Sequence, residues 1–286
     1  MKPSVWAFSA IGVPWQIETG TELSASARTA ISAVIERFDI GWSRFRADSV
    51  VTGLAKTGGA APAPPDAELL LDTYRQAGEA TAGAINPLLG DSLSALGYDA
   101  ELSLRPGEPV PAPPDWTAIL TWSATEVRLS RPVMIDIGAL GKGRLVDAVL
   151  TEVAQHADGD IVVDASGDIA VRGAPQRIGL EHPFDPSRAI GVATVTDAAL
   201  CASATNRRNW AHGMHHVLDA RTGTPVQSIA ATWVIAADAL HADALATALF
   251  FDGGPELAAR WGADWVRMST AGRVEWSPGC PIELFR

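Results

Sequence analysis

The chain has 286 residues, a formal net charge of −11 and two cysteines, Cys201 and Cys280. A chain of this length forms one large domain or two interlocked ones, and it can bury a sizeable core. Its acidic balance argues against general binding of nucleic acid, which requires a basic surface, but is compatible with a local positive site for a small phosphorylated ligand. Two cysteines are too few for a disulfide framework.

The N-terminal segment, MKPSVWAFSAIGVPWQIETG, has no basic region, no uninterrupted apolar stretch and no small-residue cleavage site. A secretory signal peptide has all three of these features, so no signal peptide is predicted. No apolar run elsewhere approaches the length of a membrane span. We therefore expect a cytoplasmic protein without a membrane partner.

Hydrophobic periodicity predicts a mixture of helices and strands along the chain. Helices are expected over residues 24–42, from Asp66 as N-cap to near Gly78 or Gly83, and over 144–157 and 241–250. Single strands are expected over residues 118–124, 126–130, 132–138, 176–183, 189–203 and 229–238. Strand material broken at Gly12 and Pro14 is expected over 6–19, a strand, tight turn and strand over 161–173, a strand running into a turn over 214–226, and a hairpin over 262–277. A proline-rich stretch at 106–116 is interpreted as a surface loop within the fold. Because helices and strands do not alternate strictly, the pattern favours the α+β class.

The stretch HADALATALF, residues 241–250, is an apolar helix interrupted by Asp243 and Thr247. Residues four apart lie on one face of a helix, with about 5–6 Å between their Cβ atoms, so the two oxygens would lie side by side. Such hard oxygen ligands suit Mg²⁺, whose other positions are usually filled by water or phosphate oxygens. Two structural alternatives stay open: Asp243 as the helix N-cap, and Thr247 bonded to a carbonyl one turn earlier.

A second candidate site lies at IDIGALGKGRLVDAV, residues 135–149, where a strand is predicted to lead through a glycine-rich turn into a helix. Gly138, Gly141 and Gly143 would let the backbone approach a phosphate, and the helix N-terminus would supply N–H groups and a positive dipole. Lys142 adds a mobile positive charge. The spacing fits neither a P-loop nor the dinucleotide fingerprint, and a tight turn with a solvated lysine is the alternative.

Two further segments place polar residues in predicted turns. DASGDIAVRG, residues 164–173, has Ser166 and Gly167 between two strands, and a plain hairpin is the alternative there. HGMHHVLDARTGTP, residues 212–225, holds three histidines followed by Asp219. If the adjacent pair of histidines lies on a strand, their side chains point to opposite faces, so at most one enters a given site. Histidine is a good general base near neutral pH, which Asp219 can orient, and a polar turn is the alternative.

Six segments, in chain order, resemble the motifs of the ApbE family, the FAD:protein FMN transferases. They are WSRFRADSV (42–50), TAGAINP (81–87), DIGALGKG (136–143), SGD (166–168), HVLDARTG (216–223) and ADALATA (242–248). The resemblance runs from about the first predicted helix to about residue 251. On this basis we expect residues 1–286 to form a single domain. Six ordered motifs are far more specific than any one of them.

The resemblance implies a bilobed α+β fold, with mixed or antiparallel sheets flanked by helices and a nucleotide cleft between the lobes. The family cleaves FAD between its two phosphates, with Mg²⁺ at the pyrophosphate. It joins FMN to a Thr or Ser hydroxyl of an acceptor flavoprotein and releases AMP. Some members instead hydrolyse FAD to FMN and AMP.

The family motifs also assign roles to residues of this chain. The metal ligands would be Asp243, Thr247 and the carbonyl oxygen of Ala139. The residues expected to bind FAD are Gly138, Lys142, Gly143, Ser166, Gly167, Ser203 and Ala204.

Three residues are expected to take part in the chemistry. Lys142 would lie near the nucleotide and, with the N–H groups of the glycine-rich turn, stabilise negative charge electrostatically. His216 would be the base that removes the proton from the acceptor hydroxyl, and Asp219 would support it.

The segment SATN, residues 203–206, departs from the S-G-x-Y pattern of the family. Ala204 stands where the family has glycine, and Asn206 stands where it has an aromatic residue. The metal and lysine motifs are intact, whereas in the His216 motif Ala220 stands where the family has proline. FMN transfer is the leading function, and the presence of His216 and Asp219 favours chemistry over binding alone. The altered segment favours two alternatives, an FAD pyrophosphatase that uses water as acceptor and a non-catalytic FAD-binding protein.

Overall fold

The structure, a computed structural model, describes residues 3–206, 209–211 and 213–285. Its helices are α1 Ala25–Trp42, α2 Val50–Thr57, α3 Ala67–Ala80, α4 Gly90–Ala95, α5 Trp116–Ile119, α6 Gly141–Val153, α7 Ala239–Ala248 and α8 Gly254–Arg260. Its strands are β1 Ser4–Ala10, β2 Val13–Thr19, β3 Gly59–Pro62, β4 Leu120–Trp122, β5 Glu126–Leu129, β6 Ile161–Asp164, β7 Asp168–Arg172, β8 Gln176–His182, β9 Asp185–Val195, β10 Ala198–Ala204, β11 Asn209–Trp210, β12 Met214–His215, β13 Leu218–Asp219, β14 Thr224–Pro225, β15 Ile229–Ala236, β16 Asp264–Ser269, β17 Val274–Trp276 and β18 Glu283–Leu284. None of the helices in these ranges has the length and apolar character needed to cross a membrane.

The largest sheet has eight strands in the order β1-β2-β6-β7-β10-β15-β16-β17, and all of its pairings are antiparallel. Antiparallel neighbours accept tight connections, and β6 reaches β7 through a turn in which Ser166 and Gly167 both have positive φ, 60° and 104°. Four longer excursions leave the sheet, between β2 and β6, between β7 and β10, between β10 and β15, and between β15 and β16. Between them they supply most of the motifs noted in the sequence.

Helices α1, α6 and α7 cover one face of this sheet. Helix α6 presents an apolar stripe, because Leu145, Val149 and Val153 recur at spacings of four and are fully buried. Helix α7 is buried almost all round, because it packs against α6, α3 and the strands β10 and β15. Its Ala- and Leu-rich composition therefore reflects its central position.

The opposite face of the sheet is covered by a three-stranded sheet in the order β18-β9-β8. Strand β10 separates the two cores, because successive side chains of a strand point to opposite faces. Cys201 therefore faces the helical core, whereas its neighbour Leu200 packs with Leu180 and Ala193 in the second core. A third sheet, β3-β5-β4, contributes Leu120, Val127 and Leu129 to the helical core.

The α+β class is confirmed, but two sequence predictions are wrong in detail. Residues 132–138 form no strand, because their backbone groups bond to loops: the N–H of Asp136, for example, donates to the carbonyl of Pro87 at 2.8 Å. Asp66 precedes α3 but makes no side-chain cap, since its backbone is left-handed with φ 59°. Its carboxylate instead accepts a hydrogen bond from Arg144 on α6, at 2.8 Å.

Candidate active site

Asp243 lies in the middle of α7, and only 4% of its surface is exposed. The N-cap of this helix is Asp238, whose side chain accepts the N–H of His241 at 2.8 Å, so the capping alternative for Asp243 is excluded. The Oδ2 atom of Asp243 instead accepts the N–H of Gly143 at 2.8 Å. This bond joins α7 to the first turn of α6.

Thr247 follows Asp243 by one helical turn, and its hydroxyl forms a hydrogen bond outside α7. Oγ1 donates to the carbonyl of Ala139 at 3.0 Å, in the turn that precedes α6, instead of bonding within its own helix. Two of the three predicted metal ligands are therefore in contact, and the third lies on the same helix face. No three His, Cys, Asp or Glu side chains in the described ranges form a ligand group, so a cation here would rest on mixed carboxylate, hydroxyl and carbonyl oxygens.

Gly143 lets α6 and α7 approach each other closely. A Cβ atom at this position would lie 2.1 Å from the carbonyl oxygen of Ala239 and 2.6 Å from the Cβ of Asp243, so no larger residue fits without movement. Helix α6 begins at Gly141, before the predicted start at residue 144, which places Lys142 and Gly143 in its first turn. Gly143 thus has a packing role that the sequence interpretation did not include.

Lys142 is the positive centre of this region. Its Nζ lies 2.5 Å from Oδ2 of Asp168, which is 1% exposed, and donates to the carbonyl of Ala165 at 3.1 Å. Burial by itself lowers the pKa of Lys142, but the Asp168 and Asp243 carboxylates raise it above its ordinary value. Burial and the adjacent Asp168 raise the pKa of Asp243 well above its usual range. Two buried carboxylates thus face a single ammonium group, an imbalance that a bound cation would offset.

A buried network holds the turn that presents the Ala139 carbonyl. Nε of Arg44 donates to Oδ2 of Asp136 at 2.6 Å, and the other oxygen of that carboxylate accepts the N–H of Gly138 at 2.8 Å. The hydroxyl of Tyr74, on α3, donates to the Asp136 carbonyl at 3.1 Å and accepts the Ala139 N–H at 3.3 Å. Burial raises the pKa of Tyr74, so the hydroxyl stays protonated and able to donate. These bonds fix the peptide whose oxygen meets Thr247.

Two adjoining cavities open beside these residues. The larger has a volume of about 540 Å³ and is lined by Lys142, Gly141 and Arg44 among others. The smaller, of about 110 Å³, is lined by Ala139 and Thr247 among others. They form one cleft, since they share the lining residues Phe45, Tyr98, Asp136 and Gly138. The larger part alone falls within the ~300–1,000 Å³ range of small-molecule sites.

The two adjacent histidines have different surroundings, and only His215 belongs to β12. His215 is buried, with Nε2 2.9 Å from the carbonyl of Val226, and burial lowers its pKa. His216 lines the smaller cavity together with Thr247. His212, the third histidine of the motif, lies outside the described residues. A single histidine of the adjacent pair therefore reaches the cleft.

Asp219 is held by Arg221 in the turn between β13 and β14. Its carboxylate accepts the backbone N–H of Arg221 at 3.0 Å and pairs with the guanidinium at 2.6 Å. Burial tends to raise the pKa of Asp219, but the hydrogen bonds from Arg221 bring it below its usual value. The carboxylate is thus ionised, and its support of His216 stays a prediction.

The other residues predicted to bind FAD lie around a third cavity of about 140 Å³, at the end of β10. They are Ser166, Gly167, Ser203 and Ala204, of which Ser203 also lines the smaller part of the cleft. Asn206 lines this cavity too, and its Nδ2 donates to the carbonyl of Pro183 at 2.7 Å. The residue that replaces the aromatic side chain of the family pattern thus ties β10 to the β8–β9 hairpin.

Residues 11–265 match the sequence profile of the ApbE family. The chain belongs to the ApbE family. It is 26% identical to the FAD:protein FMN transferase of Rhodobacter capsulatus over 296 residues, which cover 95% of this chain and 56% of that protein. It is also 26% identical to the FAD:protein FMN transferase of Treponema pallidum over 265 residues, which cover 78% of this chain and 70% of that protein. The chain thus spans little more than half the length of the R. capsulatus relative.

The ApbE fold is supported by a solved structure as well. The crystal structure of the ApbE protein from Thermotoga maritima matches with a TM-score of 0.83 and 22% identity, over 96% of this chain and 97% of that one. The sequence profile and the fold therefore agree over nearly the whole chain.

Sequence interpretation missed several residues of this ApbE-family site. Asp168, Arg44 and Asp136 all stand within the motifs that carried the resemblance, so their position there was a usable signal. Tyr74 gave no such signal, because it occupies an ordinary buried position on α3. Its role follows only from the fold, which brings α3 beside the turn at Ala139.

Proposed function

We propose that this protein transfers FMN from FAD to a Thr or Ser hydroxyl of an acceptor flavoprotein, in an Mg²⁺-dependent reaction that releases AMP. The names of its relatives support flavin transfer. The observation that carries the proposal is the 3.0 Å contact between Thr247 Oγ1 and the Ala139 carbonyl, one helical turn from the buried Asp243. It joins oxygens from two distant motifs beside the cleft.

Asp243, Thr247 and the Ala139 carbonyl would hold the Mg²⁺. The donor set fits, because carboxylate, hydroxyl and carbonyl oxygens are the ligands that Mg²⁺ accepts from proteins. The raised pKa of Asp243, caused by burial and by Asp168, fits as well, because a bound cation would favour the ionised carboxylate. When bound, Mg²⁺ would polarise the FAD pyrophosphate and stabilise the charge on the departing AMP.

Lys142 would act on the same pyrophosphate. It lines the larger part of the cleft, and its raised pKa keeps it charged near neutral pH. Asp168 holds the ammonium group in place, so its charge needs no reorganisation during the reaction. The first N–H groups of α6 add the positive end of a helix dipole.

His216 would activate the acceptor hydroxyl. As the hydroxyl oxygen bonds to the phosphorus of the FMN half, the imidazole would take its proton. The bond from that phosphorus to the bridging oxygen breaks, and the oxygen leaves on AMP. Asp219 would support the histidine in this step.

Two competing outcomes start from the same site. Water in place of the acceptor would give free FMN and AMP, and a site that only binds FAD would give neither. Ala204 and Asn206, which depart from the family pattern beside the third cavity, are the observation that favours these alternatives.

One incubation separates the three functions. The protein is mixed with FAD, Mg²⁺ and a folded acceptor domain that carries the modified Thr, and nucleotides and protein masses are then analysed. Transfer predicts AMP together with acceptor heavier by one FMN. Free FMN with AMP and unmodified acceptor would instead establish hydrolysis. Intact FAD, in a sample in which FAD is demonstrably bound, would rule out both reactions.

A further inference from the structure

The carboxylate of Asp147, on α6, joins this helix to the start of α7. Its Oδ1 accepts the N–H of Ala239 at 2.8 Å, and its Oδ2 accepts the N–H of Leu240 at 2.9 Å. The first N–H groups of a helix have no partner within it, so the side chain satisfies two of them at once. These two bonds come from a different helix, unlike an ordinary cap.

The same helix pair meets again one turn nearer to the cleft. The N–H of Gly143 donates to Asp243, and the backbone of Gly143 lies against the carbonyl of Ala239. Asp147 and Gly143 are four residues apart on α6, and Ala239 and Asp243 are four apart on α7, so each pair lies on one face. Two adjacent turns of α6 therefore bond to and pack against two adjacent turns of α7.

These contacts fix the position of α7 along its own axis relative to α6. Asp243 and Thr247 continue the same face of α7, and Thr247 must reach the Ala139 carbonyl, in the turn that leads into α6. A helix is stiff over two turns, so a shift at Ala239 would carry both side chains with it. Such a shift would separate the oxygens of α7 from the oxygen of Ala139.

We infer that Asp147 is a positioning residue for the metal ligands, which it acts on through the N-terminus of α7. The inference rests on the proposed function, since it concerns the metal of that reaction. Asp147 itself touches neither Thr247 nor the Ala139 carbonyl in any described hydrogen bond. It fixes the axial position of α7, which carries two of the three ligands, relative to the turn that carries the third.

Asp238 provides a matched control, because it caps the same helix from within its own segment. It accepts the N–H of His241 and has no described hydrogen bond to α6. Asp147→Asn and Asp238→Asn both keep a side-chain oxygen that can accept an N–H, and both remove a carboxylate charge beside the first turn of α7. Only Asp147→Asn also weakens the link to α6, since the amide can accept one N–H but turns its own NH₂ toward the other.

The test measures Mn²⁺ binding by the loss of its free-ion EPR signal, with the wild type, Asp147→Asn and Asp238→Asn. Only Asp147→Asn should raise the Mn²⁺ dissociation constant, by about 10-fold, which is the lower range for residues that orient metal ligands. It should also raise the Mg²⁺ concentration for half-maximal AMP release, with the rate at saturating Mg²⁺ retained.

Mn²⁺ binding by Asp147→Asn at wild-type strength would overturn the inference, and so would an equal weakening in Asp238→Asn. If Asp147→Asn does not fold, Asp147→Ser, whose hydroxyl still accepts one N–H, is judged by the same criteria. A wild type that binds no Mn²⁺ would overturn the metal assignment of the proposed function together with this inference. A wild type that binds Mn²⁺ with equal variants would overturn this inference alone.

Discussion

The substitution Gly143→Ala tests how closely α6 and α7 must approach for the site to form. The added Cβ would lie 2.1 Å from the Ala239 carbonyl oxygen, whereas Cβ contacts in proteins essentially never fall below 3.0 Å. The two helices must therefore separate by about 0.9 Å at this point, since the obstacle is backbone and cannot rotate away. Overpacking of this kind costs about 1–3 kcal/mol of stability. The displacement would also carry Asp243 away from the Gly143 N–H.

The assay compares urea unfolding and AMP release from FAD for the wild type, Gly143→Ala and Gly53→Ala. A displacement near 1 Å in a catalytic site costs up to about 100-fold in rate, and we expect a loss of this order for Gly143→Ala. Gly53 lies exposed in α2 with nothing within 4 Å of its Cβ position, so its substitution should stabilise the protein by about 0.5–1 kcal/mol. Wild-type stability and rate in Gly143→Ala would refute the packing argument.

Three further predictions concern buried charge and the proposed base. Arg44→Met should lower the free energy of unfolding by about 3–5 kcal/mol, because it leaves Asp136 without its buried partner, and a loss below 1 kcal/mol would contradict this. The pKa of Asp147 is raised from 3.8 to about 6, chiefly by burial, so its contribution to stability is complete below pH 4 and is lost as the pH rises through 6. Between pH 4 and 7 the free energy of unfolding of the wild type should therefore fall by roughly 3 kcal/mol relative to that of Asp147→Asn. The same pH dependence of the unfolding free energy in both proteins would contradict this. His216→Ala should slow transfer by about 10²–10⁴-fold. The control His156→Ala removes a partly exposed histidine beyond the C-terminal end of α6 and should leave the rate unchanged. Equal rates in the two variants would exclude His216 as the base.

The sequence was most informative where periodicity and chemistry conflicted. A carboxylate and a hydroxyl four residues apart on an apolar helix have no packing reason to be there, so Asp243 and Thr247 could be singled out from sequence alone. The structure then excluded the capping role for Asp243, because Asp238 occupies the N-cap position, and the role of metal ligand stays a prediction.

The sequence was least informative where a backbone group or an unusual backbone angle decides the outcome. Asp66 is of a residue type that is common at N-caps, but its backbone has a left-handed φ and its side chain bonds to Arg144. Asp147 reads as an ordinary polar position of an amphipathic helix, because its partners are two N–H groups more than 90 residues away. Contacts of this kind depend on how the helices cross, which local periodicity does not specify.

We propose that the oxygens of Asp243, Thr247 and the Ala139 carbonyl form a metal-dependent centre for FAD cleavage. The most direct measurement is AMP release from FAD in the presence of Mg²⁺ and acceptor, with the wild type, Asp243→Asn and Asp252→Asn. Asparagine keeps the shape of Asp243 and can still accept the Gly143 N–H, but it removes the carboxylate charge. Asp252 is an exposed carboxylate just beyond α7 and serves as the control. We predict that the wild type and Asp252→Asn release AMP until EDTA is added, while Asp243→Asn is folded and inactive. AMP release by Asp243→Asn at the wild-type rate would contradict the account.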